Sequence, residues 1–285
     1  MSTNPIIAGE PANPGLPAQP RLLLPNSPNW NSFKVAAVLA LACAGAFLGA
    51  WYLPRGYNLA AVLAMEAIIV FAIGKGKMNH PLGILINERN LMSLSRLQMT
   101  MWTVLFTSVY FTLLVSYLAE HPGEQLHLTY DSTILALMGV SAFSTVFSPM
   151  IQGAKKNRTI ERDLKEQLIQ SAADVYNMQP AEIASCVQGT LYANPSFKDA
   201  QFSDIFEGEE MQNHAYIDVA KVQLFMFSAT VYLAYGAMLF TLIITKDPGE
   251  ITKFPELPSE VIGLLGISNG GYLTSKVINF TKSTP

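Results

Sequence analysis

Glu66 is the ionisable residue whose place in the sequence most needs an explanation. It lies nine residues after Tyr57, in the interior of an apolar run. A lone charge near the centre of a bilayer costs about 2.5 to 3.5 kcal/mol on insertion scales, so the carboxyl must be neutral, paired or open to water. Two interpretations stay open: a proton or cation site, or a neutral carboxyl that is hydrogen-bonded to a serine or threonine of a neighbouring span.

Two glutamines stand at the start of apolar runs in the same context. Gln98 follows Arg96, and Gln223 follows Lys221, each by two residues. The cation can extend toward lipid phosphate while the amide hydrogen-bonds another helix. We therefore expect Gln98 and Gln223 to occupy equivalent places and to link helices. A polar ring at the cytoplasmic mouth of a pore is the alternative.

Two further apolar runs carry small polar side chains. Ser141, Thr145 and Ser148 follow one side of a predicted helix, and Ser268 and Asn269 precede the pair Gly270-Gly271 in another. Small residues of this kind let helices approach closely in a membrane. Helix packing explains both groups, and a narrow aqueous path between the two helices is the alternative.

No pattern in the chain predicts catalysis. The four histidines are scattered, and none has the spacing of a zinc-binding pair. The sequence also contains no nucleophile elbow, no phosphate-binding loop and no dinucleotide fingerprint. We therefore expect no catalytic residues, no cofactor and no metal site, and the formal charge of −3 argues against nucleic-acid binding.

The elements that must position these residues are membrane spans. Half of the 285 residues are apolar and only 14% are charged, against about 25% in soluble domains. The deficit is concentrated in six runs, each close to the roughly 18 to 20 residues that cross a bilayer as a helix. The runs are 34–53, 57–74, 99–118, 133–151, 222–245 and 261–278. The sequence thus predicts an all-α membrane protein with six transmembrane helices.

The basic residues predict the orientation. All but three of the 18 lysines and arginines fall on one side, and the exceptions are Arg55, Lys246 and Lys253. By the positive-inside rule both termini are cytoplasmic. The loop that contains Glu120, Glu124 and Asp131 then faces outward.

A two-helix unit occurs twice. The segment 95–98 with its apolar run returns at 220–223, and 135–141 returns at 262–268. Both copies start from the cytoplasmic side, so the predicted duplication is parallel, with a pseudo-two-fold axis normal to the membrane.

The chain therefore divides into five predicted segments. They are a Pro-rich disordered cytoplasmic leader (1–33), a first transmembrane helix pair (34–76), repeat A (77–153), a cytoplasmic helical insertion (154–203) and repeat B (204–285). Each repeat consists of a juxtamembrane elbow and two spans. In the second elbow, Glu209 and Glu210 are expected on a solvated turn, because adjacent residues of a helix do not face one another.

Helical spacing of apolar residues begins in the insertion at Thr159, and Pro180 predicts the start of a second helix that reaches Gln188. We expect the apolar stripe to pack on the insertion itself or on the membrane surface. A groove that binds a partner is the alternative.

Several strings resemble a group of uncharacterised bacterial multi-span membrane proteins. They are Pro81-Leu82-Gly83-Ile84-Leu85-Ile86, Leu94-Ser95-Arg96-Leu97-Gln98 with Trp102, Ala220-Lys221-Val222-Gln223, and Leu264-Leu265-Gly266-Ile267-Ser268 with Gly271-Tyr272-Leu273. The resemblance covers about 82–276 and implies a bacterial inner membrane, and it implies no activity.

A non-enzymatic membrane anchor or scaffold for a cytoplasmic partner or assembly is the function that these patterns favour. Nearly all of the predicted soluble mass is cytoplasmic, and the spans contain little charge. The alternative is a small oligomeric ion channel or pore with polar faces on the repeat helices. Membrane lipid and either a second copy of the chain or a cytoplasmic protein are the expected partners.

Overall fold

The computed structural model describes residues 30–126, 128–129 and 132–284. Residues 1–29 of the predicted leader lie outside the described residues, as do His127, Tyr130 and Asp131. The described chain is mainly helical. Its α-helices are α1 (Ser32–Tyr52), α2 (Tyr57–Met78), α3 (Leu94–Glu120), α4 (Ser132–Lys156), α5 (Arg162–Tyr176), α6 (Pro180–Cys186), α7 (Val219–Thr245) and α8 (Ser259–Val277).

Five of these helices are long and apolar enough to cross a membrane, namely α1, α2, α3, α4 and α7. The chain is therefore a multi-pass membrane protein. The sixth predicted span corresponds to α8, which has 19 residues and includes the polar sequence Ser268-Asn269-Gly270-Gly271. That polar sequence lowers the hydropathy of α8 relative to the other five.

The long helices alternate in direction. Arg55 in the α1–α2 connection pairs with Glu120 at the end of α3 and with Asp247 after α7, so these segments meet at one end of the bundle. We call this the distal end. Arg89 before α3 and Lys276 near the end of α8 meet at the opposite end, which we call the cap end.

The bundle is built around α3. It packs against α2, α4 and α7, and α8 closes the group by packing against both α4 and α7. Large side chains fill the centre, where Trp102 stacks on Phe106 and the Phe106 ring meets the edge of Tyr235. Burial of these aromatic rings stabilises the packing of α3 against α7.

A small folded unit, which we call the cap, covers one end of the bundle. It comprises residues 159–210 together with the C-terminal strand. Its strands form two short antiparallel pairs, β1 (Thr159–Ile160) with β4 (Ser283–Thr284) and β2 (Val187–Gln188) with β3 (Leu191–Tyr192).

The cap has its own apolar core. The stripe of α5, including Leu168 and Ile169, packs against Ile183 and Tyr192. Of the two placements expected for this stripe, the insertion itself or the membrane surface, the structure shows the first. Helix α6 begins at Pro180 as predicted, but it ends at Cys186 because the next two residues pair as β2.

The two elbows before α3 and α7 follow the same order of elements. The first has a 3-10 helix, Gly83–Leu85, and an antiparallel bridge between Ile86 and Met92. The second has a 3-10 helix, Phe202–Phe206, and an antiparallel bridge between Glu207 and Ile217. The elbows place their charged residues next to the ends of the long helices at the cap end.

Candidate functional site

A buried group of ion pairs joins the cap end of the bundle to both elbows. Its centre is Glu209, which receives Lys221 from the first turn of α7 at 3.3 Å and Arg89 from the first elbow at 3.6 Å. Lys276 from the last turn of α8 pairs with the same carboxylate, and Gln152 of α4 donates to it at 3.0 Å. We call these five residues the Glu209 cluster.

The electrostatics of the cluster favour an ionised carboxylate. Burial by itself would raise the pKa of Glu209, but the charges of Lys276, Lys221 and Arg89 outweigh burial and hold that pKa well below its usual range. The cations also donate hydrogen bonds to other groups. Lys276 donates to the hydroxyl of Ser148 at 2.5 Å, and Lys221 donates to the carbonyl of Glu207 at 2.6 Å. The cluster therefore holds its charges without access to bulk water.

The adjacent carboxylate, Glu210, makes a second buried connection. It pairs with Lys155 of α4 at 2.5 Å and accepts from the backbone N–H of Thr281 at 2.6 Å. Lys155 also donates to the carbonyl of Ile278 at 2.7 Å. The second elbow, α4 and the segment after α8 are thus tied together at one point.

The expectation that Glu209 and Glu210 lie on a solvated turn is wrong. Glu210 forms an antiparallel bridge with Leu191, so the backbone here is extended and not helical. In an extended chain, neighbouring side chains point to opposite sides. The two carboxylates consequently reach different cations, and both are buried. No local signal in the sequence marks this arrangement, although basic residues recur at the ends of three helices.

Other titratable groups surround the cluster. His214 stacks on Tyr192 with ring centroids 3.7 Å apart, and burial, with the nearby charges of Arg89 and Lys221, lowers its pKa to about 4. Burial raises the pKa of Asp204, whose carboxylate accepts from the backbone N–H groups of Met92 and Gln201. His214 is therefore neutral near pH 7.

The cluster leaves no space for a substrate. The cavity beside Arg89, Asp204 and Lys221 measures about 10 Å³, which is roughly one water molecule. Chemically, this arrangement can hold protein segments together, and it lacks the room that a reacting ligand needs.

Glu66 is on α2, and its side chain reaches α3. Its Oε2 atom is 2.6 Å from the hydroxyl of Thr107 on the neighbouring helix, so the predicted hydrogen bond to a threonine of a neighbouring span is present. The residue is only partly buried. It forms no ion pair within the part of the chain that the structure describes.

The two glutamines occupy different environments, so the expected equivalence of Gln98 and Gln223 is wrong. Gln98 is buried and donates to the hydroxyl of Ser228 on α7, whereas Gln223 is exposed on the outer face of α7. When the two helices are matched by their buried residues, the position of Gln98 in α3 corresponds to Leu224 in α7. A shift of one residue turns a side chain by about 100° around a helix, which moves it from the core to the surface.

The small polar residues of α4 and α8 lie at contacts between helices, and all of them are buried except Thr145, which is half-buried. Thr145 contacts the carbonyl of Ser95 on α3 at 3.2 Å. Asn269 donates to the carbonyl of Val140 on α4 at 3.1 Å. Ser141 accepts from Thr145 through its backbone oxygen at 2.9 Å, and Ser268 is buried nearby on α8. These side chains therefore lie where helices meet, which agrees with the helix-packing interpretation.

The distal end carries an acidic groove. Glu120, Glu124, Asp247 and Glu250 line it together with His121. No group of His, Cys, Asp or Glu side chains among the described residues has the arrangement of a metal site.

Comparisons with protein-family models, curated proteins and solved structures find no match for this chain.

Proposed function

We propose that this protein is a non-enzymatic membrane anchor or scaffold for a cytoplasmic partner or assembly. The observation that carries the proposal is the Glu209 cluster, which fixes the cap to α7 and α8 through buried ion pairs and to α4 through a buried hydrogen bond. A cap held in this way presents its outer surface at a constant position relative to the bilayer. Docking of a partner requires such a surface.

The packing of the bundle supports an anchor over a small oligomeric channel. The centre is filled by aromatic and aliphatic side chains, including Trp102 and Tyr235. The polar side chains that could line a path contact neighbouring helices instead, as Thr145 and Asn269 do. No described contact favours an open path through a single chain.

We also infer that α8 is a sixth span, that the membrane is a bacterial inner membrane and that both termini are cytoplasmic. The direction of α8 beside α4 and α7, the concentration of basic residues and the resemblance noted above support this topology. Reporter fusions after Lys165 and after Lys282 should give cytoplasmic signals, and a fusion at Glu124 a periplasmic one. A periplasmic signal after Lys165 would contradict the topology.

The outer face of α5 is the surface that we expect a partner to contact. Arg162, Lys165 and Glu166 are exposed there, and the side chain of Arg162 is 91% accessible. Charge reversal of Arg162 and Lys165 to glutamate should release a partner, because it inverts the local charge and leaves the cap core untouched. The matched control is Lys246→Glu, which reverses an exposed charge at the distal end.

The test compares the wild type and both variants after purification in mild detergent, with mass spectrometry and light scattering. A protein that co-purifies in a fixed ratio with the wild type and Lys246→Glu, and is lost from the double variant, supports the proposal. Light scattering on the same samples gives the mass of the assembly, and a multiple of the mass of one chain identifies a homo-oligomer. A chain that purifies alone and conducts ions in planar bilayers would refute the anchor and favour the channel.

A further inference from the structure

A lateral groove runs along the membrane part of the molecule between α2 and α3, with α4 at one end. We call it the α2–α3 groove. Its volume is about 670 Å³, which lies within the range of small-molecule sites, about 300 to 1,000 Å³. Aliphatic side chains such as Ile69, Val70 and Val104 form most of its walls, and Thr103 and Thr107 place hydroxyl groups along α3.

The groove opens toward the outer surface of the helices. Ile73 on the α2 side of the groove is 43% exposed, and Thr107 on the α3 side is also exposed. In a membrane this surface faces hydrocarbon. Glu66 lies about 14 Å along α2 from Tyr57, at 1.5 Å per residue, and therefore near the middle of the span. A ligand would enter from the lipid.

The groove contains a carboxyl group without a cationic partner. Glu66 is the acidic residue in its wall, and Arg96 is the basic residue. Arg96 is already engaged, because its guanidinium contacts Glu88 at 2.6 Å and the carbonyl of Ile86 at 2.8 Å. No basic side chain among the described residues pairs with Glu66, so the carboxyl is either protonated or balanced by a cation that those residues do not supply.

The hydrogen bonds around Thr107 allow both states. Its hydroxyl oxygen lies 2.6 Å from Glu66 Oε2 and 2.6 Å from the carbonyl oxygen of Thr103, but a hydroxyl has only one hydrogen to donate. When Thr107 donates to Thr103, Glu66 must carry the proton and donate to Thr107. When Thr107 donates to Glu66, the carboxylate is ionised and one of its oxygens is held in place.

We propose that the α2–α3 groove binds an amphiphilic primary amine, with the nitrogen on Glu66 and the apolar chain along the groove. The amine enters from the lipid as the free base and takes the carboxyl proton. The O–H bond of Glu66 breaks as the new N–H bond forms, so an ammonium–carboxylate pair is produced without any external acid or base. The hydrogen of Thr107 then turns from Thr103 to Glu66. This site is independent of the anchor function.

Photolabelling of the full-length protein in nanodiscs tests the proposal. The probe is decylamine with a diazirine at its terminal carbon, and the control probe is decanol with the same diazirine. Mass spectrometry of the peptides locates the label. We expect the amine to label α2 and α3 at least about ten-fold more in the wild type than in Glu66→Gln, while decanol labels both proteins equally. Glu124→Gln, an exposed change at the distal end, should label like the wild type.

Equal labelling of the wild type by the amine and by decanol would overturn the proposal, since a groove that accepts any alkyl chain is a lipid contact. Unchanged labelling in Glu66→Gln would overturn it as well. If Glu66→Gln fails to fold, Thr107→Val decides. A drop of about three-fold or more in amine labelling supports the proposal, because the oriented carboxylate is lost, and unchanged labelling refutes it.

Discussion

Replacing Glu209 by glutamine should strongly destabilise the protein. The change keeps the size of the side chain but removes one negative charge, and it leaves Arg89, Lys221 and Lys276 buried around a neutral amide. Removing one partner of a buried ion pair typically costs about 3 to 5 kcal/mol, because the remaining charge is desolvated without compensation. We expect a loss in that range in the free energy of unfolding.

Equilibrium unfolding in mixed micelles, followed by circular dichroism, measures the change. The matched control is Glu166→Gln on α5, whose side chain is 68% accessible and pairs with Arg162 at 3.2 Å. An exposed pair of this kind is worth roughly 0.3 to 0.5 kcal/mol. The reasoning is refuted if Glu209→Gln costs no more than this control.

The pH dependence offers a check on the same residue. The folded-state pKa of Glu209 lies well below its ordinary value of 4.5. Its contribution to stability is therefore complete above that value and is lost as the pH falls below it. A second check is Lys276→Gln added to Glu209→Gln, which removes one uncompensated charge and should recover part of the loss. If the double variant loses the sum of the unfolding free energies that Glu209→Gln and Lys276→Gln lose separately, the two residues are not directly coupled.

Three further changes test other parts of the structure. The pKa of His214 falls from 6.5 to about 4 in the folded state, so the free energy of unfolding of the wild type should fall by roughly 1 to 3 kcal/mol between pH 6.5 and pH 4. His214→Phe, measured by unfolding across that range, should reduce this fall. An unchanged dependence on pH in the variant would show that His214 is not its cause. Gln98→Ala should cost about 1 to 2 kcal/mol by removing a buried interhelical hydrogen bond and leaving a small cavity. Gln223→Ala should change the same unfolding free energy by less than about 0.5 kcal/mol, and equal effects would restore the equivalence of the glutamines. Gly189 has φ +63°, and a Cβ there would clash with the backbone oxygen of Lys155. Gly189→Ala should therefore lower the free energy of unfolding by about 1 to 3 kcal/mol, measured by thermal unfolding. The helical control Gly139→Ala has open space around its Cβ and should be neutral or stabilising.

The long helices could be predicted closely from the sequence. The predicted runs 34–53 and 57–74 correspond to helices at 32–52 and 57–78, and the run 222–245 corresponds to 219–245. Hydropathy over some twenty residues is a property of contiguous sequence, so this part of the fold needs no information about distant contacts. The start of α6 at Pro180 was predictable for a similar reason, since proline favours the first turn of a helix.

The rotation of the helices could not be predicted in the same way. The sequence match pairs Gln98 with Gln223, whereas the buried positions pair Gln98 with Leu224. An apolar helix has residues of similar hydropathy on every face, so its composition does not reveal which face is buried. The packing of α3 against α7 decides that, and it determines which of the two glutamines links helices.

Sequence by itself determined that the chain is a multi-pass helical membrane protein with a small folded insertion, because those properties follow from local hydropathy and periodicity. Only the tertiary structure decided the role of the charged residues. Arg89, Glu209 and Lys276 are far apart in the chain, and Glu209 beside Glu210 has the local appearance of a surface turn. Whether a charge is solvated or buried depends on the segments that fold around it, and here those segments come from both elbows and from three helices.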